Sequence, residues 1–149
     1  MESEDLVKWE DRYSVGIQLM DDQHKELIRL TNELYKSCLA SDEAARAYFT
    51  TTIKATVDYV KYHFAAEEKL LENIKYPDIG NHKKWHESFV KQVLEDAQNF
   101  EDGKKFVPNT FVRFLKDWIL SHIAVEDQNY ALYIQNLKKQ GVLAETIGM

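Results

Sequence analysis

Apolar residues recur along this chain at alternating spacings of three and four, the period of an amphipathic helix. The first such run covers 19–40, with Met20, His24, Leu27, Thr31, Leu34 and Cys38 on one face. The second covers 43–73 and carries Phe49, Ile53, Val57, Val60, Phe64 and Leu71. The third covers 79–101, with His82, His86, Phe89, Val93 and Phe100 near one side. The fourth covers 107–139, where Phe111, Leu115, Trp118, His122, Val125, Asn129 and Leu132 trace a stripe.

Breaks between the runs have physical causes. Ser41-Asp42 suits a turn and helix cap. Pro77 cannot continue a helical hydrogen-bond ladder, and Asp78 can cap the third helix. Gly103 and Gly141 suit helix stops, and Pro108 suits a first turn. Residues 1–18 lack a sustained period, yet Leu6, Val7, Trp9, Tyr13, Val15 and Ile17 are too apolar for a loose tail. They are expected to lie on the helices as an arm. Connections this short favour antiparallel neighbours. The pattern therefore predicts an all-α, up-down-up-down four-helix bundle forming a single domain over 1–149.

Composition narrows the function. A length of 149 residues with 44% hydrophobic residues is enough for one real core. The net charge of −6 argues against nucleic acid and gives no case for an anionic membrane. No apolar run is long enough to span a bilayer, and the acidic N-terminus lacks a signal core, so a cytoplasmic location is expected. One cysteine, Cys38, excludes an internal disulfide and a cysteine-based zinc site. It reads as a small core filler.

The chemistry lies in the histidines. All five, His24, His63, His82, His86 and His122, fall inside helical patterns. His63 and Glu67 are four apart, which places them about 40° apart around a helix, and His82 and His86 repeat that spacing. The flanks, Val60, Leu70 and Leu71, are apolar. A surface ion pair at this spacing is worth only about 0.5 kcal/mol and would not explain an apolar setting. Buried charge without a partner costs several kcal/mol, so either mutual pairing or a metal is required. Five imidazoles with one or two carboxylates exceed one tetrahedral zinc and suit two octahedral ions sharing bridging groups. In an antiparallel bundle, early on the first and third helices is level with late on the second. His122 joins that level if the fourth helix overshoots.

The segments Asp21-Asp22-Gln23-His24, His63-Phe64-Ala65-Ala66-Glu67-Glu68, His82-Lys83-Lys84-Trp85-His86 and His122 through Asp127 resemble the hemerythrins, the single-domain bacterial hemerythrins in particular. The resemblance covers nearly the whole chain. It implies a non-haem di-iron centre that binds O₂ reversibly. By analogy, His82, His86 and His122 would hold one iron, and His24 and His63 the other. Glu67 and Asp127 would bridge the two Fe ions together with an oxo or hydroxo group. The iron with two histidines would keep a position open for O₂. Trp118, Ile119, Phe64 and Ile123 are the candidates for the O₂ pocket. Where family members often carry leucine, this chain has Ile119.

Periodicity and resemblance disagree at one point. Glu126 lies four residues after His122, on the better face of an ideal helix, whereas Asp127 lies about 140° away. The resemblance selects Asp127. Both hold only if the fourth helix departs locally from α geometry, as a π-type turn would.

Three functions compete. One is an O₂-binding protein for storage, delivery or sensing, which is not an enzyme. Another is a di-iron oxidase or peroxidase. Five neutral nitrogens and two acids supply little negative charge to support highly oxidised iron, and no Glu-x-x-His pair stands at a core position. Both points favour binding over oxidation. The third is a non-redox bundle holding zinc or manganese. Sensing would require a separate protein partner. Tyr130, three residues beyond Asp127, is within reach of the bridge.

Overall fold

The computed structural model describes residues 5–37, 43–101 and 108–141. Its helices are α1 (Gln18–Ser37), α2 (Glu43–Asn73), α3 (Ile79–Glu101), α4 (Pro108–Ser121) and α5 (Asp127–Lys139). A π-helical segment, His122–Glu126, joins α4 to α5, so the two form the fourth rod of a four-helix bundle. Cys38, the Ser41-Asp42 turn and Gly103 lie outside the described residues.

α1 packs on α2 and α4, and α2 packs on α3. Aromatic rings join α3 to α4: Phe89 stacks on Trp118 at 3.8 Å between centroids and lies 5.9 Å from Phe114. The apolar interior forms two clusters. The larger includes Leu27, Leu34, Phe49, Ile53, Phe64, Phe89, Leu115 and Ile119. The smaller gathers Val15, Ile17, Met20, Leu71, Tyr76, Tyr130 and Ile134 near one end. On α1, α2 and the fourth rod the histidines fall between these clusters, so a polar layer crosses the bundle toward that end.

The arm lies on the bundle as its apolar content predicts. Val7, Tyr13, Val15 and Ile17 are buried. Asn32 is buried on α1, where its Oδ1 accepts from the Val7 N–H at 2.9 Å and its Nδ2 donates to the Val7 carbonyl at 2.8 Å. Asp21 accepts from Ser14 Oγ at 2.5 Å and from the Val15 N–H at 2.9 Å. From α5, Gln128 Nε2 reaches the carbonyls of Tyr13 and Ser14 at 3.3 Å.

α2 ends in a pair of crossed backbone bonds, Lys75 N–H to Glu72 O at 3.1 Å and Tyr76 N–H to Leu71 O at 3.0 Å. This closure places the residue after the helix in the left-handed region, usually glycine. Here it is Lys75, at φ +55°. A residue with a Cβ is strained there, whereas glycine is not. Lys75→Gly is therefore expected to raise unfolding stability by about 1 kcal/mol, read from urea denaturation of the metal-free chain.

The fourth rod departs from its predicted stripe. Phe111, Leu115 and His122 face inward, but Val125 and Leu132 are 58% and 60% exposed. Beyond the π segment the buried set is Asp127, Tyr130, Ala131 and Ile134. Each lies one residue later than a regular helix would place it. The π segment is the cause, since it adds one residue to a turn and advances every later side chain by about 100°.

Candidate metal centre

All five imidazoles and both carboxylates, Glu67 and Asp127, converge in the polar layer. None is more than 4% exposed. Glu67 stands at the centre. Its Oε1 lies 2.7 Å from His82 Nε2, 3.0 Å from His86 Nε2 and 3.1 Å from His122 Nε2. Its Oε2 lies 3.3 Å from His24 Nε2 and 3.4 Å from His63 Nε2. Asp127 repeats the division. Oδ1 is 3.0 Å from His122 Nε2 and 3.4 Å from His82 Nε2, while Oδ2 is 3.0 Å from His24 Nε2. Two carboxylates thus separate a set of three imidazoles from a set of two.

Proton positions sharpen the picture. His86 Nδ1 lies 2.8 Å from Glu68 Oε2, and His63 Nδ1 lies 2.6 Å from Gln23 Oε1. Both partners are acceptors, so each Nδ1 carries the hydrogen and the Nε2 lone pair of the neutral ring points into the layer. His86 Nε2 and His122 Nε2 are only 3.1 Å apart. His63 Nε2 and both Asp127 oxygens find no hydrogen-bond partner. Burying an ionised carboxylate costs several kcal/mol, more than the ~2 kcal/mol that one buried leucine returns. A layer of converging lone pairs and anions is stable only around positive charge.

In the metal-free chain, protons supply that charge. Burial pushes the His24 imidazole down, but the carboxylates of Asp127 and Glu67 outweigh it and hold it up at about 10. Burial pushes His82 down as well, but the hydrogen bond to Glu67 together with the charges of Glu67, Asp127 and Glu126 outweighs it and leaves it raised. Burial pushes His63 down, so it stays neutral. Tyr130 is held well above the usual phenol value by burial and by the charges of Glu67 and Asp127. It remains a donor and gives a 3.1 Å hydrogen bond to Glu67 Oε2.

The donor set fits two cations. Glu67, His82, His86 and His122 offer ligand atoms within 4.8 Å of one another, and so do His24, His63 and Glu67. Asp127 faces both groups from the fourth rod, Oδ1 toward His122 and His82 and Oδ2 toward His24. The π segment puts it there, leaving Glu126 half-buried outside the layer. Glu68 is both solvated and attached to the layer, its side chain being 28% exposed while it orients His86.

Aromatic residues wall the three-imidazole side. Phe64 stacks flat on His86, centroids 3.7 Å apart and planes 3° from parallel, and its ring is 5.8 Å from both His63 and His122. Trp118 stacks on His122 at 4.7 Å. Trp118 therefore lies against the three-histidine set, away from the two-histidine side where the O₂ position is expected. Ile119 and Ile123 are buried in the same apolar cluster as Phe64. Sequence reasoning missed Gln23 as the partner of His63. A polar side chain beside His24, buried at 3% exposure, is its structural mark.

A four-helix bundle with imidazoles from every rod and a carboxylate from two of them turned into one buried layer defines a cation-binding bundle. The chain belongs to the hemerythrin family: the family model described as the hemerythrin HHE cation binding domain matches residues 15–134. It is similar to a bacteriohemerythrin of Stenotrophomonas maltophilia, 36% identical over 126 residues, covering 85% of this chain and 80% of the relative. A hemerythrin-like protein of Naegleria gruberi is 31% identical over 122 residues, covering 82% and 88%. A crystal structure of wild-type hemerythrin superposes with a TM-score of 0.79 at 28% identity, covering 85% of this chain and 95% of that one. Among the described residues, no helix is long and apolar enough to cross a membrane.

Proposed function

We propose that the chain binds two iron ions in this layer and uses them to bind O₂ reversibly, as a store, carrier or sensor. His82, His86 and His122 would hold one ion, and His24 and His63 the other, with Glu67 and Asp127 shared. The observation that carries this reading is the division of both carboxylates between the two imidazole sets, every oxygen of Glu67 and Asp127 lying within 3.3 Å of an imidazole Nε2. A pair of ferrous ions supplies the two electrons that O₂ takes on binding and returns on release.

The chain's residues account for the rest of the site's behaviour. Gln23 and Glu68 fix the tautomers of His63 and His86, so the inward nitrogens are ready acceptors of metal. Phe64, Ile119 and Ile123 keep water from the layer, which protects a reduced centre from irreversible oxidation. The set of two imidazoles leaves more room than the set of three, and the ligand site is assigned there.

Loading must displace protons. His24 is protonated at neutral pH in the metal-free chain, because its carboxylate partners hold it at about 10. A ligand nitrogen needs its lone pair, so the proton leaves as metal enters. Ferrous loading at pH 7 is expected to release at least one proton per chain. Affinity should rise with pH and level off once pH passes the His24 value. Calorimetry in buffers of different ionisation enthalpy reads the count, and a proton count of zero would remove His24 from the ligand set.

The functional test is an anaerobic reduction followed by O₂ titration, read by visible absorption. A band that forms with O₂ and disappears on its removal over repeated cycles is the expected result. A band that forms once and decays to a colourless or permanently oxidised product argues for an oxidase.

A further inference from the structure

Holding metal or O₂ does not require the unbroken file of indole rings that leads from His122 to the surface. Trp118 stacks on His122 with centroids 4.7 Å apart and planes 21° from parallel. Trp85, on α3, lies 6.2 Å from Trp118. Trp85 is 39% exposed, so the file ends in contact with solvent. Phe89 clamps Trp118 from the other side at 3.8 Å and holds the file in register.

We propose that Trp118 and Trp85 carry oxidising equivalents from the metal centre to the surface, where a thiol quenches them. The inference rests on the iron-binding reading above. The occasion is attack of hydrogen peroxide on the already diferric protein, when the irons have no easy electrons left to give. Reducing one peroxide to two waters consumes two electrons and two protons. Trp118 gives up one electron toward His122, and Trp85 refills it. Trp85 then loses its indole N–H proton to water, and the resulting neutral radical takes a hydrogen atom from a thiol. A second passage supplies the second electron. The two thiyl radicals left by the two passages couple, so the sum is one peroxide and two thiols giving two waters and one disulfide.

The alternative outlet is weaker by its proton chemistry. Tyr130 lies 6.4 Å from Tyr76, which lies 5.5 Å from Tyr133, so a tyrosine file also leaves the layer. A tyrosine must lose its proton as it loses its electron. The Tyr130 hydroxyl donates to Glu67 Oε2, an oxygen already facing His24 and His63. That carboxylate, held against burial well below its usual range by the imidazoles around it, is a weak base for the Tyr130 proton, whereas an indole can give up its electron first and its proton later, at the surface.

The test treats iron-loaded protein with hydrogen peroxide, without thiol, and maps oxygen addition by peptide mass spectrometry. Trp9 is the internal control. It is partly exposed on the arm, and its ring lies against Tyr13 and Lys25. Trp85 should be oxidised at least fivefold more than Trp9, while zinc-loaded protein shows no such preference. Trp118→Phe keeps an aromatic ring in place but cannot relay, and should bring Trp85 down to the Trp9 level. Trp85→Phe, a surface change, should move oxidation inward to Trp118 and speed loss of iron. Added thiol should protect Trp85 and be consumed two per peroxide. Equal oxidation of Trp85 and Trp9, or undiminished oxidation of Trp85 in Trp118→Phe, overturns the proposal. If the protein holds two irons and cycles O₂ but Trp85 is spared, the relay alone fails. If it holds no iron, the metal reading falls as well.

Discussion

Glu67→Gln is expected to leave a folded, helical protein that no longer holds a pair of irons. Glu67 is the residue that faces all five imidazoles, Oε1 toward three of them and Oε2 toward two. Glutamine keeps the shape but replaces one oxygen with an amide that points hydrogens at one of the ion positions. It also removes half of the carboxylate charge in the layer. Loss of an outer partner of a metal ligand typically costs 10–100-fold in affinity, and loss of a shared ligand should exceed that, roughly 100-fold or more. Metal-free stability should hold, because removing a buried carboxylate also removes its desolvation cost. Iron content after anaerobic loading, with helicity measured alongside, reads both effects. Two irons retained in Glu67→Gln would contradict the shared position.

The second large effect sets Asp127 against Glu126. Asp127→Asn should lower iron affinity roughly 100-fold or more and shorten the life of the O₂ complex, while Glu126→Gln should stay within about twofold of the parent. The contrast comes from backbone geometry. Without the π segment His122–Glu126, an inward acid would sit four residues after His122, at Glu126. With it, Asp127 is fully buried with Oδ1 and Oδ2 turned to opposite imidazole sets. A reversed result, with Glu126→Gln losing metal and Asp127→Asn retaining it, would place the rod in plain α geometry in solution.

These two residues also show what the chain discloses in advance. The rods were legible because hydrophobic period and breakers agree. α2 and α3 run Glu43–Asn73 and Ile79–Glu101, matching the predicted 43–73 and 79–101. The histidines were legible as one set because each occupied an inward position of its own helix. The phase of the last rod was not. An apolar stripe extrapolated from Phe111 and Leu115 carried Val125 and Leu132 inward, and both are exposed. The pattern does contain the slip, since Tyr130, Ala131 and Ile134 form an inward set one residue late. A period fitted across the whole run averages that slip away. Hydrogen-bond partners were harder still. Gln23 and Asn32 look like ordinary polar residues on α1, and only three-dimensional packing brings His63 and the Val7 backbone to them. Lys75 gave no sign either, because the left-handed closure of α2 is expected at glycine.

Iron anomalous diffraction from crystals of the loaded protein puts the central claim to the most direct test. Two peaks should appear beside Glu67 and Asp127, one within bonding distance of His82, His86 and His122 and the other of His24 and His63. A single peak, metal held by Glu126 in place of Asp127, or iron bound only at the surface would contradict it.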